Sequence, residues 1–182
     1  MGQKSIRNLR VMSYRYLKNW KNERVLNCLS TNTRLSIIDN NPLTTRLMEK
    51  SGHNFKVHVL KQTTMHTKSL SQINRIKPKE IGIYRNVVLS TDHYPNIQAH
   101  TFMPEKYISG KERFLKILGS RSLGTYLLKP KRFQKKEVFY RIVHNSIHRI
   151  ATYKNGKKII YVNEIFPKDF SLERVSVLNA RG

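Results

Sequence analysis

An arginine and a glutamate each fall on the apolar side of a stretch that reads as β-strand. In Ile81-Gly82-Ile83-Tyr84-Arg85-Asn86-Val87-Val88-Leu89, alternation puts Arg85 on one face with Ile83, Val87 and Leu89. In Lys158-Ile159-Ile160-Tyr161-Val162-Asn163-Glu164-Ile165-Phe166-Pro167, Glu164 shares its face with Ile160, Val162 and Phe166. A charge on an aliphatic face is costly unless it is paired or neutralised. The two therefore either neutralise each other or grip a ligand. The arginine fork matches a carboxylate. A carboxyl group among aliphatics has a raised pKa by desolvation and can hold or deliver a proton near neutral pH.

Two helix starts offer further donors. In Asn41 to Gly52, Asn41 suits the cap, Pro42 the first helical position and Gly52 the exit. The first free backbone N–H groups lie near Leu43 and Thr44, where they could meet an anion. In Ser120 to Leu128, Ser120 or Ser122 suits the cap, leaving Leu123 and Gly124 with free N–H groups. Gly124 also lets another group come close to the backbone. These pieces together suit a small molecule with a carboxylate at one end and a polar oxygen at the other. The competing reading is a structural Arg85–Glu164 ion pair beside ordinary surface helices. Residue types alone leave the two open.

Other chemistries lack their residues. Of the seven histidines only His144 and His148 have the His-x-x-x-His spacing, and Asn145 stands where the His-Glu-x-x-His of a zinc protease needs its glutamate; the single Cys28 rules out a cysteine metal cluster and an internal disulfide. No phosphate-cradling glycine loop and no Gly-x-Ser-x-Gly elbow are present, and Asp92-His93 makes no recognisable triad. No metal and no cofactor are expected.

The elements that must position these residues belong to a chain of 182 residues with 38% hydrophobic content, enough for one domain with a substantial core. No window is apolar over the roughly 20 residues of a membrane span. The balance of 35 basic to 11 acidic residues gives a formal charge of +24. One reading is a nucleic-acid surface. The other is an AT-rich genome that leaves surplus lysine on solvated faces, and the basic residues are scattered. Only Lys129 to Lys136 is dense, and no nucleic-acid-binding motif accompanies it. The same field would draw in a small anion. At the N-terminus, Arg7, Arg10 and Arg15 with no acid before Glu23 would fit an organelle transit peptide, whereas Tyr14, Tyr16, Leu17 and Trp20 argue for a packed segment.

In chain order, residues 21–38 predict one or two short helices. Asn54 to Leu60 alternates as a strand with Phe55, Val57 and Val59 inward. Residues 61–80 read as a long polar connection. Strands over 82–90 and 97–103 form a hairpin, and Glu105 to Leu118 is helical with a break near Ser109-Gly110. A strand follows over Phe133 to Val143. Ile147 to Tyr153 and Lys158 to Phe166 flank Asn155-Gly156, the strongest hairpin signal in the chain. The expected class is α+β, one domain over 1–182, with a mainly antiparallel sheet and helices on one side. Residues 1–20 and 168–182 are expected to be peripheral.

From Asn41 to Pro167 the sequence resembles the chorismate pyruvate-lyase family, enzymes that make 4-hydroxybenzoate for quinone synthesis. The resemblance rests on the helix and strand of Arg46 to Leu60, and on the arginine-bearing strand Ile83 to Leu89. It rests also on Leu118-Gly119 followed by Leu123-Gly124-x-Tyr126-Leu127, and on the final hairpin from Gly156-Lys157 to Glu164-Ile165-Phe166-Pro167. It implies a six-stranded antiparallel sheet with helices on one side and a closed ligand cavity. It also implies conversion of chorismate to 4-hydroxybenzoate and pyruvate without a metal or cofactor. Arg85 would anchor the ring carboxylate, with backbone help at Leu123 and Leu43, and Glu164 would face the opposite oxygen and handle the proton. The Lys/Asn/Ile-rich composition suits a plastid or cyanobacterial type, in the plastid stroma if organelle-encoded and otherwise in the cytoplasm. Two other functions stand beside this one: a non-catalytic sensor that binds a small aromatic acid, and a basic RNA-associated protein. The oligomeric state stays open.

Overall fold

Apolar alternation builds six strands: β1 (Lys56–Thr67), β2 (Glu80–Ser90), β3 (Ile97–Pro104), β4 (Gln134–Val143), β5 (Ser146–Asn155) and β6 (Lys158–Pro167). They form one sheet in the order β1-β2-β3-β6-β5-β4, with every neighbouring pair antiparallel. The structure, a computed structural model, describes residues 20–51, 54–67, 80–127, 129 and 132–172. The long connection from β3 carries the chain to β4 at the far edge, so β6 returns to close on β3 in the middle of the sheet. The α+β class and antiparallel sheet are as expected.

The helical elements are a 3-10 helix over Glu23–Cys28, α1 (Thr31–Ile38), α2 (Leu43–Ser51), 3-10 turns over Glu105–Tyr107 and Gly110–Ile117, and the short α3 (Leu123–Leu127). Leu26, Ile37, Leu43 and Leu47 pack with Val87, Leu89, Ile97 and Phe166. Ile108, Leu115, Leu118 and Leu127 pack with Ile83, Met103, Ile160 and Val162. These strand residues all share the face of Arg85 and Glu164, so the helices cover that face. On the other face Phe102, Ile150 and Tyr161 form a smaller cluster with Trp20, Phe139 and Ile159.

Several sequence expectations are corrected. The expected loop over 61–80 is strand at both ends: β1 runs on to Thr67 and β2 begins at Glu80, while residues 68–79 lie outside the described residues. A register shift between Val59 and Lys61 explains why simple alternation fails there. The extra residue turns Gln62 and Thr64 to the face that Val57 and Val59 occupy, opposite Arg85 and Ile83. Helix α2 starts at Leu43, and the Pro42 carbonyl accepts its first backbone bond from Arg46 at 3.0 Å, so Pro42 precedes the helix. Its expected exit at Gly52 lies outside the described residues, as do residues 1–19. The segment 105–118 forms 3-10 turns broken at Ser109, where an ordinary helix was expected. Residues 168–172 are not peripheral: Phe170 and Leu172 are buried in the core, and the Leu172 N–H donates to Ser36 Oγ at 3.0 Å.

The face away from the helices carries two histidines, His148 buried and His100 half-buried. Tyr84 Oη lies 2.5 Å from His100 Nδ1, and burial pushes the His100 pKa down to about 4. His148 is also pushed down to about 4, by burial first and then by Arg141 and His100. Both folded values lie below the ordinary 6.5. The unfolded chain therefore takes up protons that the folded one refuses, and stability is lost as pH falls from 6.5 toward 4. Across that window we expect a loss of about 7 kcal/mol at most. Urea midpoints measured from pH 7.5 to 4 should fall, and His100→Gln/His148→Gln should flatten the decline.

Candidate active site

The register assembles the site from neighbouring rows of the sheet. One row runs Gln62, Arg85, Thr101, Val162, Ala151, Val138 from β1 to β4. The next runs Val87, Ala99, Glu164, Arg149, Tyr140 from β2 to β4. Arg85 and Glu164 thus stand two strands and two residues apart on one face, roughly 12 Å between Cα positions at ordinary strand spacings. Ala99 and Thr101 lie between them on β3. Short side chains there leave space where the rest of this face carries Ile97 and Met103.

That space is a cavity. Its walls include Pro42, Leu43 and Thr44 from the start of α2, Ser122, Leu123 and Gly124 from the start of α3, and Arg85 and Glu164. Val87, Leu127, Tyr153 and Val162 complete much of the apolar lining. Every residue that the sequence singled out for the site borders this one cavity.

Arg85 is 2% exposed. Its Nη1 donates to Gln62 Oε1 at 2.8 Å and its Nη2 to the Arg121 carbonyl at 3.3 Å. Gln62 is in turn fixed by donating Nε2 to the Lys116 carbonyl at 2.7 Å. Among the described residues no carboxylate lies within ion-pair distance of Arg85. Burial lowers its pKa from the usual arginine value. A buried cation held in place by neutral acceptors is a prepared anion site.

Glu164 answers the question of pairing differently. Its partner is Arg149, directly opposite on β5, which donates Nε to Oε2 at 2.6 Å. The sequence left Glu164 either neutralised by Arg85 or facing a ligand; the guanidinium that accompanies it is the fully buried one of Arg149. Oε1 has no hydrogen-bond partner among the described residues, and Glu164 borders the cavity. Arg149 also donates Nη1 to the carbonyls of Ile37 at 2.6 Å and Asp39 at 3.2 Å. Burial works against the charge of Arg149, but Glu164 more than offsets it and the pKa lies above the ordinary arginine value. Around this pair, burial, Arg149 and Arg46 hold Lys135 down to about 8, against smaller opposing effects of Glu164 and Asp39. Tyr153, on the same wall, is pushed up by burial. Arg85 and Glu164 therefore do not neutralise one another.

The two helix starts meet each other as well as the cavity. Ser122 caps α3, its Oγ accepting from the Thr125 N–H at 3.5 Å, and it donates to Thr44 Oγ1 of α2 at 3.0 Å. A Cβ on Gly124 would lie 2.7 Å from Thr44 Oγ1 and 3.3 Å from its Cβ. The glycine is what lets the two helix starts approach. Gly124→Ala should cost about 1–3 kcal/mol by overpacking, and Thr44→Ala in the same chain should restore most of it; thermal denaturation of the three variants checks this.

Sequence reasoning missed four contributors. Arg149 was visible as an arginine between Ile147 and Ala151, the same signal that singled out Arg85. Gln62 was hidden by the irregularity in β1. Ala99 and Thr101 were legible only as two small residues on one strand face. Asn86 and His100 pair across β2 and β3 on the opposite face, away from the cavity.

Comparison with known proteins gives this site a family context. Residues 17–175 match the family model described as chorismate lyase. A "Probable chorismate pyruvate-lyase" of Psychromonas ingrahamii is 31% identical over 123 residues, covering 63% of this chain and 62% of the relative. One of the same description from Methylobacillus flagellatus is 26% identical over 114 residues, covering 53% of this chain and 64% of the relative. The chain thus aligns with somewhat under two thirds of these relatives' length. Among solved structures, the effector domain of PhnF from Mycobacterium smegmatis superposes with a TM-score of 0.51 at 10% identity, over 72% of this chain and 91% of that one. That likeness is one of fold.

Proposed function

The chain belongs to the chorismate lyase family, and from that premise we propose that it converts chorismate to 4-hydroxybenzoate and pyruvate. The observation that carries the reading is a buried arginine, without an acidic partner among the described residues, at one end of a cavity whose other end is a glutamate. Chorismate carries a ring carboxylate, a hydroxyl para to it, and an enolpyruvyl ether beside that hydroxyl. Arg85 takes the ring carboxylate with its fork, and the backbone N–H groups of Leu123, Gly124 and Leu43 add donors near the same cavity.

This binding puts the hydroxyl end of the ring toward Glu164. The ether C–O bond breaks with its electron pair leaving on enolpyruvate. The ring carbon that bears the hydroxyl loses its proton, the ring becomes aromatic, and the enol takes up a proton to become pyruvate. Atoms and electrons balance without an oxidant or cofactor. Glu164, anchored through Oε2, handles the ring proton through Oε1. Arg85 and Glu164 are the catalytic pair, and Leu123, Leu43 and Gly124 belong to the substrate-binding wall.

The product is a 4-hydroxybenzoate of the kind that quinone biosynthesis consumes. The Lys/Asn/Ile-rich composition supports a plastid-type member acting in the stroma if organelle-encoded, and otherwise in the cytoplasm; cell fractionation decides between them. Among the described residues no helix is long and apolar enough to cross a membrane.

The test is incubation of the purified protein with chorismate, following 4-hydroxybenzoate and pyruvate together. Equal amounts of the two products support the lyase. Binding of 4-hydroxybenzoate without turnover would make the protein a sensor of aromatic acids. Salt-sensitive RNA binding, with no response to either acid, would leave the basic surface as its working part.

A further inference from the structure

We infer that Arg149 is the positioning residue for Glu164, setting which carboxylate oxygen meets the substrate and tying that oxygen to the helical side of the cavity. The inference rests on the proposed role of Glu164 and goes beyond it. Arg149 is 1% exposed and directly opposite Glu164 in the β5–β6 register. Its Nε takes Oε2 at 2.6 Å, which leaves Oε1 as the oxygen without a described partner. Its Nη1 holds the Ile37 and Asp39 carbonyls, at the end of α1. A few residues on, the same connection supplies Pro42, Leu43 and Thr44 to the cavity wall. The guanidinium plane lies over Phe166, 5.3 Å from ring centroid to Cζ, which limits its swing.

The surroundings reinforce the geometry. Asp39, whose carbonyl Arg149 holds, directs its carboxylate to Arg46 Nη1 at 3.3 Å. Arg46 is fixed in turn by donating Nη1 to the Ser36 carbonyl at 2.9 Å. Lys135 reaches the Asn40 carbonyl at 3.0 Å. One arginine thus joins the proton-handling side chain on β6 to the segment between α1 and α2. Such a group aligns the reactive oxygen without touching the substrate. A lysine at this position would keep the charge but lose the planar fork that binds a carboxylate and two carbonyls at once.

The experiment is a double-mutant cycle in turnover. Arg149→Lys should lower kcat about tenfold and Arg149→Met about a hundredfold, each with KM within about threefold of wild type. In a Glu164→Gln background, Arg149→Met should lower kcat by less than about threefold, because the group it positions is already gone. The cycle also guards against misfolding, since Arg149→Met/Glu164→Gln leaves no unpaired buried charge. Equal loss from Arg149→Met in both backgrounds, or a parallel rise in KM, would overturn the inference while leaving the lyase reading intact. A wild-type protein that turns over no chorismate would remove both.

Discussion

Arg85→Gln should weaken binding of 4-hydroxybenzoate by about 3 kcal/mol, roughly 150-fold. The size follows from what the ligand loses: its carboxylate enters a cavity with a largely apolar lining and finds no other cation on the described lining. Arg85→Lys should recover only part of the affinity, because an ammonium supplies charge without the parallel donors of the fork. The effect on folding should be small by comparison. Arg85 is a buried cation without a carboxylate partner among the described residues, so its removal relieves a desolvation cost while leaving the Arg121 carbonyl and Gln62 Oε1 short of a donor. These terms oppose one another, and we expect the unfolding free energy to change by no more than about 1 kcal/mol. Isothermal titration with 4-hydroxybenzoate and urea unfolding measure the two quantities separately. Large loss of affinity with nearly unchanged stability is the signature of an arginine kept for a ligand.

Glu164→Gln should produce the complementary pattern. Turnover should fall about 10²- to 10⁴-fold, the range ascribed to a positioned acid or base, while affinity for 4-hydroxybenzoate changes less than about tenfold. The amide can still accept from Arg149 Nε, so the side chain stays in place, but it cannot take a proton. Stability should drop by about 2 kcal/mol, since the buried Arg149 loses its counter-charge but keeps a hydrogen bond. Steady-state rates at saturating chorismate, with the product titrated separately, distinguish this from loss of binding. Unchanged turnover would take Glu164 out of the chemistry and leave the Glu164–Arg149 pair as a core ion pair.

The contrast between these two residues explains what the sequence could reveal. Both announce themselves by the same break in alternation, a charge among β-branched and aliphatic neighbours, and that local signal survives into the structure. What makes them different is non-local. The partner of Glu164 depends on the β5–β6 register, and a turn centred on Asn155-Gly156 would place Ile147 opposite it. The actual turn residues are Gly156 and Lys157, with Gly156 at a φ of +56° and Asn155 paired to Lys158. That slides the partner to Arg149. The hairpin was legible, whereas its register was not.

The same distinction runs through the rest of the fold. Helix starts at Leu43 and Leu123 were legible from caps and glycine, and both border the cavity. That they touch one another through Ser122, Thr44 and Gly124 follows only from the packing of segments far apart in sequence. The β1 irregularity that delivers Gln62 to Arg85 leaves no turn residue or glycine in Val59-Leu60-Lys61 to betray it. The adjacency of β3 and β6 likewise has no local signature, yet it brings Ala99 beside Glu164 and opens the cavity floor. Phe170 and Leu172 were a missed local signal: two apolar residues at strand spacing after Pro167, both buried.

The central claim is that Arg85 and Glu164 hold opposite ends of one aromatic acid. A crystal structure of the protein with 4-hydroxybenzoate tests it most directly. The account predicts one molecule in the cavity, its carboxylate on Arg85 and its hydroxyl facing Glu164 Oε1, with the Arg149 bond to Oε2 intact. A ligand bound in the reverse direction, or outside this cavity with Arg85 unengaged, would contradict it.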